Sequence, residues 1–322
     1  MPTSGIMSLF IFSFSMKKFL IKIVPYFVVV LIVLAILGSY ADGNTDDNYM
    51  HFAVKKPQNM ILGDSRGSQG LVPSVLKGKL SQNFDNFSLN IVESPYGQIY
   101  FKALKRKLDP ETKNGVFILT VSPWNLSLDK GVKQEKDFPE EHSPLNDMYF
   151  YDRSPNYEYL LKHYTRSWFK IYTERAEAGK SNTFLHDDGW LEVTINMHAD
   201  SVAVRTNRKE QFYKELANSV ELSSERLRAI NEMINYLRTK GRVYLVRLPT
   251  SKGLTVIENK KYPHFNKILK DIARKQNITF FDFAGNYAEY DYTDGNHLYK
   301  ESSKKISARI ADSIIAGRGR LK

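Results

Sequence analysis

Cysteine is absent from all 322 residues, which excludes disulfides, thiolate metal sites and a cysteine nucleophile. Acid is absent before Asp42, and charge of either sign is absent from residues 1–15 and from the run Ile23–Tyr40. No internal repeat or low-complexity tract appears. There is also no compact Arg/Lys helix and no RNA-binding aromatic signature, so nucleic acid is not an expected partner. His186, Asp187, Asp188 and His198 fit no standard ligand spacing, and neither a metal nor a cofactor is expected.

The uncharged run IVPYFVVVLIVLAILGSY has eighteen residues, about the length that crosses a ~30 Å hydrocarbon layer. Lys17, Lys18 and Lys22 precede it, while Asp42, Asp46 and Asp47 follow. That asymmetry places residues 1–22 in the cytoplasm and everything after the 23–40 span outside. Met16-Lys17-Lys18 reads as a natural start, with residues 1–15 superfluous. Ser39-Tyr40-Ala41 resembles a signal-peptidase site, but the apolar core is long for a signal peptide. A retained anchor is expected, with a cleaved signal as the alternative. The three lysines supply +3 of the net +11 and leave +8 on the exported part. Such a surface suits anionic headgroups or acidic polymers, or is simply a solvated lysine-rich face.

Residues 41–58 are polar and turn-rich and read as a stalk. From residue 59 to 322, apolar runs alternate with helical spacing. Strands are expected at 59–62, 87–92, 116–121, 243–248 and 278–283, and helices at 72–80, 98–108, 223–239, 265–275 and 300–315. This pattern predicts an α/β three-layer sandwich on a five-stranded, mostly parallel sheet. Between about 126 and 220 the alternation stops, and an inserted cap is expected there, with a helical region over 158–178.

Gly63-Asp64-Ser65-Arg66 follows the first strand, and Asp294-Gly295-Asn296-His297 follows the last. Together they supply a hydroxyl nucleophile, an imidazole base and a carboxylate to orient it; Asp291 is a second candidate acid. Ser65, Gly97, Asn125, Arg247 and the Asp294–His297 block all come just after expected strands, where reactive groups collect in parallel sheets. Gly63-Asp64-Ser65-Arg66-Gly67 formally matches the G-x-S-x-G elbow, but that elbow normally follows several strands and draws its acid and histidine from separate loops.

An early Gly-Asp-Ser block with a late Asp-x-x-His block resembles the SGNH/GDSL hydrolase superfamily, over residues 59–125 and 241–315. The resemblance implies a flavodoxin-like sandwich and serine-dependent acyl transfer by Ser65, His297 and Asp294. It also implies oxyanion donors at the Ser65 and Gly97 N–H groups and the Asn125 side chain. The third block, Ser-Pro-Trp-Asn, departs from the family's Gly-x-Asn-Asp. Arg66 and Arg247 are candidates for binding an acidic substrate, the alternative being an ion pair with Asp64 or Glu258. One span followed by an exported SGNH domain is similar to accessory proteins of D-alanyl-lipoteichoic-acid transfer and alginate O-acetylation. That similarity implies a membrane-bound O-acyltransferase as partner and an anionic glycan or teichoic-acid-like acceptor. An esterase with the same triad, or a non-catalytic glycan-binding scaffold, are the alternatives.

Overall fold

Five short strands with side chains alternating between two faces build the centre of this computed structural model, which describes residues 5–132, 134–175 and 181–319. They are β1 (Met60–Gly63), β2 (Asp85–Ser88), β3 (Gly115–Thr120), β4 (Gly241–Arg247) and β5 (Thr279–Asp282). Their order is β2-β1-β3-β4-β5, and every pair is parallel. On β3, Phe117 and Leu119 join one buried cluster while Val116 and Ile118 join another, as a period of two requires. The first cluster takes in apolar residues of helices Gln98–Lys107, Ser224–Arg238 and Phe265–Lys275. The second takes in those of helices Pro73–Leu80 and Lys300–Gly319. Two helical layers thus enclose one sheet, the expected three-layer sandwich.

Strand β2 ends earlier than its apolar residues suggest. The side chain of Asn90 accepts the N–H groups of Val92 (2.9 Å) and Glu93 (3.1 Å), folding Leu89–Ser94 into a turn before the strand can run on. Ser223, by contrast, caps its helix as its position predicts, accepting from the Arg226 N–H.

The segment 41–58, expected as a stalk, is part of the domain. Residues Tyr49–Ala53 form a helix whose Tyr49, His51 and Phe52 are fully buried, with Phe52 stacked on Tyr159. Asp46 starts this helix by accepting the N–H groups of Asn48 (2.9 Å) and Tyr49 (2.8 Å). Lys107, also fully buried, fixes the arrangement. Its Nζ donates to the carbonyls of His51 (2.8 Å), Val54 (3.1 Å) and Tyr151 (3.2 Å). One ammonium therefore ties the supposed stalk and the insert to a helix of the sandwich. Burial lowers the Lys107 pKa, against the attraction of Asp85 and Asp152.

The insert begins and ends on a two-stranded antiparallel pair, Ser127–Asp129 with Val220–Leu222, close to the expected 126 and 220. Its helical content was expected at 158–178. Two short helices, Tyr157–Lys162 and Trp168–Thr173, occupy that stretch, and residues 176–178 lie outside the described residues. The insert also contains a hairpin, Thr183–Leu185 with Leu191–Val193, and a long helix, Ala199–Ser219. N-terminal to the domain, Met16–Gly38 is helical and is long and apolar enough to cross a membrane.

Replacing Lys107 with methionine keeps the stem but strands three carbonyls, two of them in buried contacts worth about 1–3 kcal/mol each. Lys107→Met is expected to lower unfolding free energy by at least about 2 kcal/mol in urea. A free stalk would leave the midpoint unchanged.

Candidate active site

Parallel strands deliver their loops to one edge of a sheet, and the loops after β1 and β5 meet there. Gly63 closes β1 at φ +153°, where an added Cβ would strike Thr120 on β3, so only glycine lets the chain turn this tightly. Asp64 then caps the short helix Ser65–Gly70: one carboxylate oxygen accepts the Arg66 N–H at 3.0 Å, and the other accepts the Ser122 hydroxyl at 3.0 Å. That pins Ser65 at the start of the helix, next to the loop after β3. In the other block Gly295 sits at φ +80° and its carbonyl accepts the Ser251 N–H at 2.7 Å. The turn folds Asp294 back so that one carboxylate oxygen accepts the backbone N–H groups of Asn296 (3.0 Å) and His297 (2.9 Å).

Across the gap, Ser65 Oγ lies 2.9 Å from His297 Nε2, and His297 Nδ1 lies 3.0 Å from Asp294 Oδ2. Burial would raise the Asp294 carboxyl, but the adjoining His297, its hydrogen bonds and Lys209 outweigh burial and hold it far below the usual carboxylate range. An ionised carboxylate accepts only, so Nδ1 carries the proton and the Nε2 lone pair faces the serine. Ser65, Asp294 and His297 are therefore joined in the order a general-base-activated hydroxyl requires. Asp291 is exposed and engaged away from the histidine: its N–H donates to the Ser302 hydroxyl at 2.8 Å and its carbonyl accepts the Tyr299 N–H at 2.9 Å.

Two further groups at this edge give no signal in the sequence. Asn296 Nδ2 lies 3.0 Å from the same His297 Nε2, and its Oδ1 accepts Arg66 Nε at 2.9 Å. A guanidinium can only donate, so the amide orientation is set: oxygen toward Arg66, NH2 toward the histidine. Lys209, from the insert's long helix, lies 3.4 Å from Asp294 Oδ2. Nothing in the spacing marks either residue, because Asn296 reads as an ordinary turn residue and Lys209 as one lysine among many.

Arg66 and Arg247, candidates for an acidic substrate, are engaged inside the domain. Both are buried and both pair with Glu258, at 2.6 Å and 2.8 Å. Trp124 Nε1 donates to the same carboxylate at 2.8 Å, and Arg247 also donates to Asn266 at 2.7 Å. Burial penalises the Glu258 charge, but the two arginines overcome it and keep the carboxyl below its usual range. The ion-pair alternative describes both residues.

Of the other two oxyanion candidates, the Asn125 side chain is directed elsewhere. Asn125 is fully buried; its Oδ1 accepts the Ser122 N–H at 3.0 Å and its Nδ2 donates to the Thr120 carbonyl at 3.2 Å. It is a bracket for the loop after β3. Gly97 begins the helix Gln98–Lys107, and a side chain there would run into the buried Arg226–Glu140 pair.

The insert flanks the site on two sides. Trp190 Nε1 donates to the Gln69 carbonyl at 3.0 Å, beside the helix that begins with Ser65. Arg205 Nε donates to the Thr293 carbonyl at 2.7 Å, and Tyr213 packs on Trp124 with ring centroids 4.8 Å apart. A cleft of about 750 Å³ opens at the opposite edge of the sheet, lined by Asp85, Asp188 and several lysines. No histidine lines it, and the Ser65–His297–Asp294 chain lies at the other edge.

No family model matches this sequence, and no curated protein matches it. Among solved structures, a carbohydrate acetylesterase from Sinorhizobium meliloti aligns with 80% of this chain and 97% of its own at 11% identity and TM-score 0.38. A phospholipase A1 from Streptomyces albidoflavus aligns with 79% of this chain and 98% of its own, at 11% identity and TM-score 0.38. The inhibitor-bound aryl esterase of M. smegmatis aligns with 80% and 97%, at 9% identity and TM-score 0.37. Similarity at this level bears on the arrangement of strands and helices alone.

Removing one partner of a buried ion pair costs about 3–5 kcal/mol. Glu258→Gln is expected to lose that much stability at neutral pH. Because the folded state depresses the Glu258 pKa, its contribution is complete above the ordinary value of 4.5 and is lost as pH falls. Urea midpoints of wild type and variant should therefore converge in acid.

Proposed function

We propose that this protein is a membrane-tethered serine enzyme of ester chemistry, of the SGNH type, which carries an acyl group on Ser65 and passes it to a hydroxyl of a cell-envelope polymer. The observation that carries this reading is the continuous chain Ser65 Oγ–His297 Nε2–Asp294, with spacings of 2.9 Å and 3.0 Å.

In the first half of the cycle, Ser65 Oγ attacks an ester carbonyl carbon while its proton passes to His297 Nε2. The C–O bond to the leaving group breaks, and the departing oxygen takes that proton from Nε2. In the second half an acceptor O–H gives its proton to Nε2 and its oxygen attacks the acyl carbon; the bond from that carbon to Ser65 Oγ breaks, and Oγ takes the proton back from Nε2. Water as acceptor makes the protein an esterase; a glycan hydroxyl makes it an acyltransferase. Asp294 holds the Nδ1–H and stabilises the imidazolium formed in each half.

The developing oxyanion needs donors near Ser65. The Ser65 N–H is the first of its helix and has no intrahelical acceptor. The side-chain donor is Asn296 rather than Asn125: its NH2 lies 3.0 Å from the Nε2 atom that also faces Ser65 Oγ, so it stands beside the reacting atoms. Arg66 keeps that amide in place.

Transfer to an envelope polymer is the finer part of the reading. It is supported by the apolar helix Met16–Gly38, which would hold the site beside a membrane-bound acyl donor such as a multi-spanning O-acyltransferase. The net charge of +8 beyond that helix suits an anionic glycan or teichoic-acid-like acceptor.

Wild type is expected to release p-nitrophenol from p-nitrophenyl acetate, with Ser65→Ala inactive. Asn296→Ala is expected to lower kcat by about 10²–10³-fold with little change in KM, the loss typical of one oxyanion donor. Asn125→Ala should instead lower the unfolding midpoint and leave kcat per folded molecule largely intact. A kcat loss confined to Asn125→Ala would return the donor role to that residue. Adding a polymer acceptor that diverts acetyl from water distinguishes transferase from esterase.

A further inference from the structure

The apolar helix does not end in a flexible tether. Leu34 and Leu37 are half-buried and Gly38 is buried against the insert. The Tyr157 hydroxyl donates to the Ala35 carbonyl at 2.7 Å, and a side chain on Gly38 would press into Tyr157 and Leu160. Just past the helix, the Tyr40 ring meets the edge of Tyr172 at 5.1 Å, with the Arg175 guanidinium 4.7 Å and 4.4 Å from the two rings. At ~1.5 Å per residue, Ala35 lies only about 5 Å from the end of the helix. Insert residues 157–175 are thus attached at the depth where a spanning helix leaves the hydrocarbon.

The same stretch exposes large apolar side chains. Tyr149 is 79% exposed, Leu161 70%, Phe169 61% and Tyr172 42%. Cations accompany them: Arg153 lies 3.4 Å from the Phe150 ring centroid and Lys162 5.1 Å from that of Tyr149. Lys170 and Arg166 stand on the same segment, both paired with Glu174. Exposed aromatic rings with long basic side chains beside them are the composition of a membrane–water boundary, where rings enter the headgroup layer and amines reach for phosphate.

We propose that the insert face between Tyr149 and Arg175 lies on the bilayer surface, its rings seated among the headgroups of the outer leaflet. This inference rests on the anchor reading of the Met16–Gly38 helix. The two contacts act together: the helix brings the face to the membrane, and the face fixes the tilt and rotation of the domain about the helix. Ser65 is then presented in one orientation above the lipid instead of sweeping a volume.

The absence of native cysteine makes single-site spin labelling direct. Full-length Val29→Cys, Leu161→Cys, Phe169→Cys and Val256→Cys are each labelled in vesicles of phosphatidylethanolamine and phosphatidylglycerol. Their collision rates with oxygen and with a nickel chelate are then compared. Val29 marks the span, and Val256, 56% exposed on the helix Lys252–Lys261, marks ordinary surface. The expected result is that labels at 29, 161 and 169 favour oxygen and the label at 256 favours nickel. Labels at 161 and 169 that behave like 256 while 29 favours oxygen overturn the docked face and leave the anchor standing. A label at 29 that favours nickel overturns the anchor, and the docked face with it.

Discussion

Glu258 is the charge on which the reactive edge of the sheet depends. Its single buried carboxylate neutralises Arg66 from the loop after β1 and Arg247 at the end of β4, and accepts Trp124 from the loop after β3. Arg66 passes that order on, since its Nε holds the Asn296 oxygen and the Asn296 amide faces the His297 ring. Two buried guanidiniums without this carboxylate would be a large desolvation cost with no return. With it, three strand-end loops and the histidine loop occupy fixed positions, and Ser65 has a base at hydrogen-bond distance.

The same economy explains why the arginines are not substrate ligands. An arginine beside a nucleophile looks available to an acidic acceptor when only the sequence is in view. Its availability is decided by what faces it, and Glu258 comes from a helix, Lys252–Lys261, that the apolar pattern does not announce. Arg66 and Arg247 are thus committed to Glu258 and not to an anionic acceptor.

The sheet was legible because buried parallel strands are near-continuous apolar runs: Val116–Val121 and Val243–Leu248 stand out for that reason. Ser65, Asp294 and His297 were legible because the chemistry demands those side chains and the chain supplies them after its first and last strands. Asn296 was hidden because its role depends on the orientation that Arg66 imposes. Residues 41–58 read as a stalk because polar, turn-rich composition says nothing of the Lys107 ammonium that collects their carbonyls. Asn125 was misplaced because a resemblance supplies a position, while the bonds of its amide are set by a loop in which Ser122 and Thr120 are nearer partners.

The central claim is that His297 makes Ser65 a nucleophile. Labelling with a fluorophosphonate, followed by intact-protein and peptide mass spectrometry, tests it most directly. The account requires one phosphonyl group on Ser65 in wild type, none in Ser65→Ala, and much slower labelling in His297→Ala. Wild type that stays unlabelled, or that labels at another residue, would contradict it.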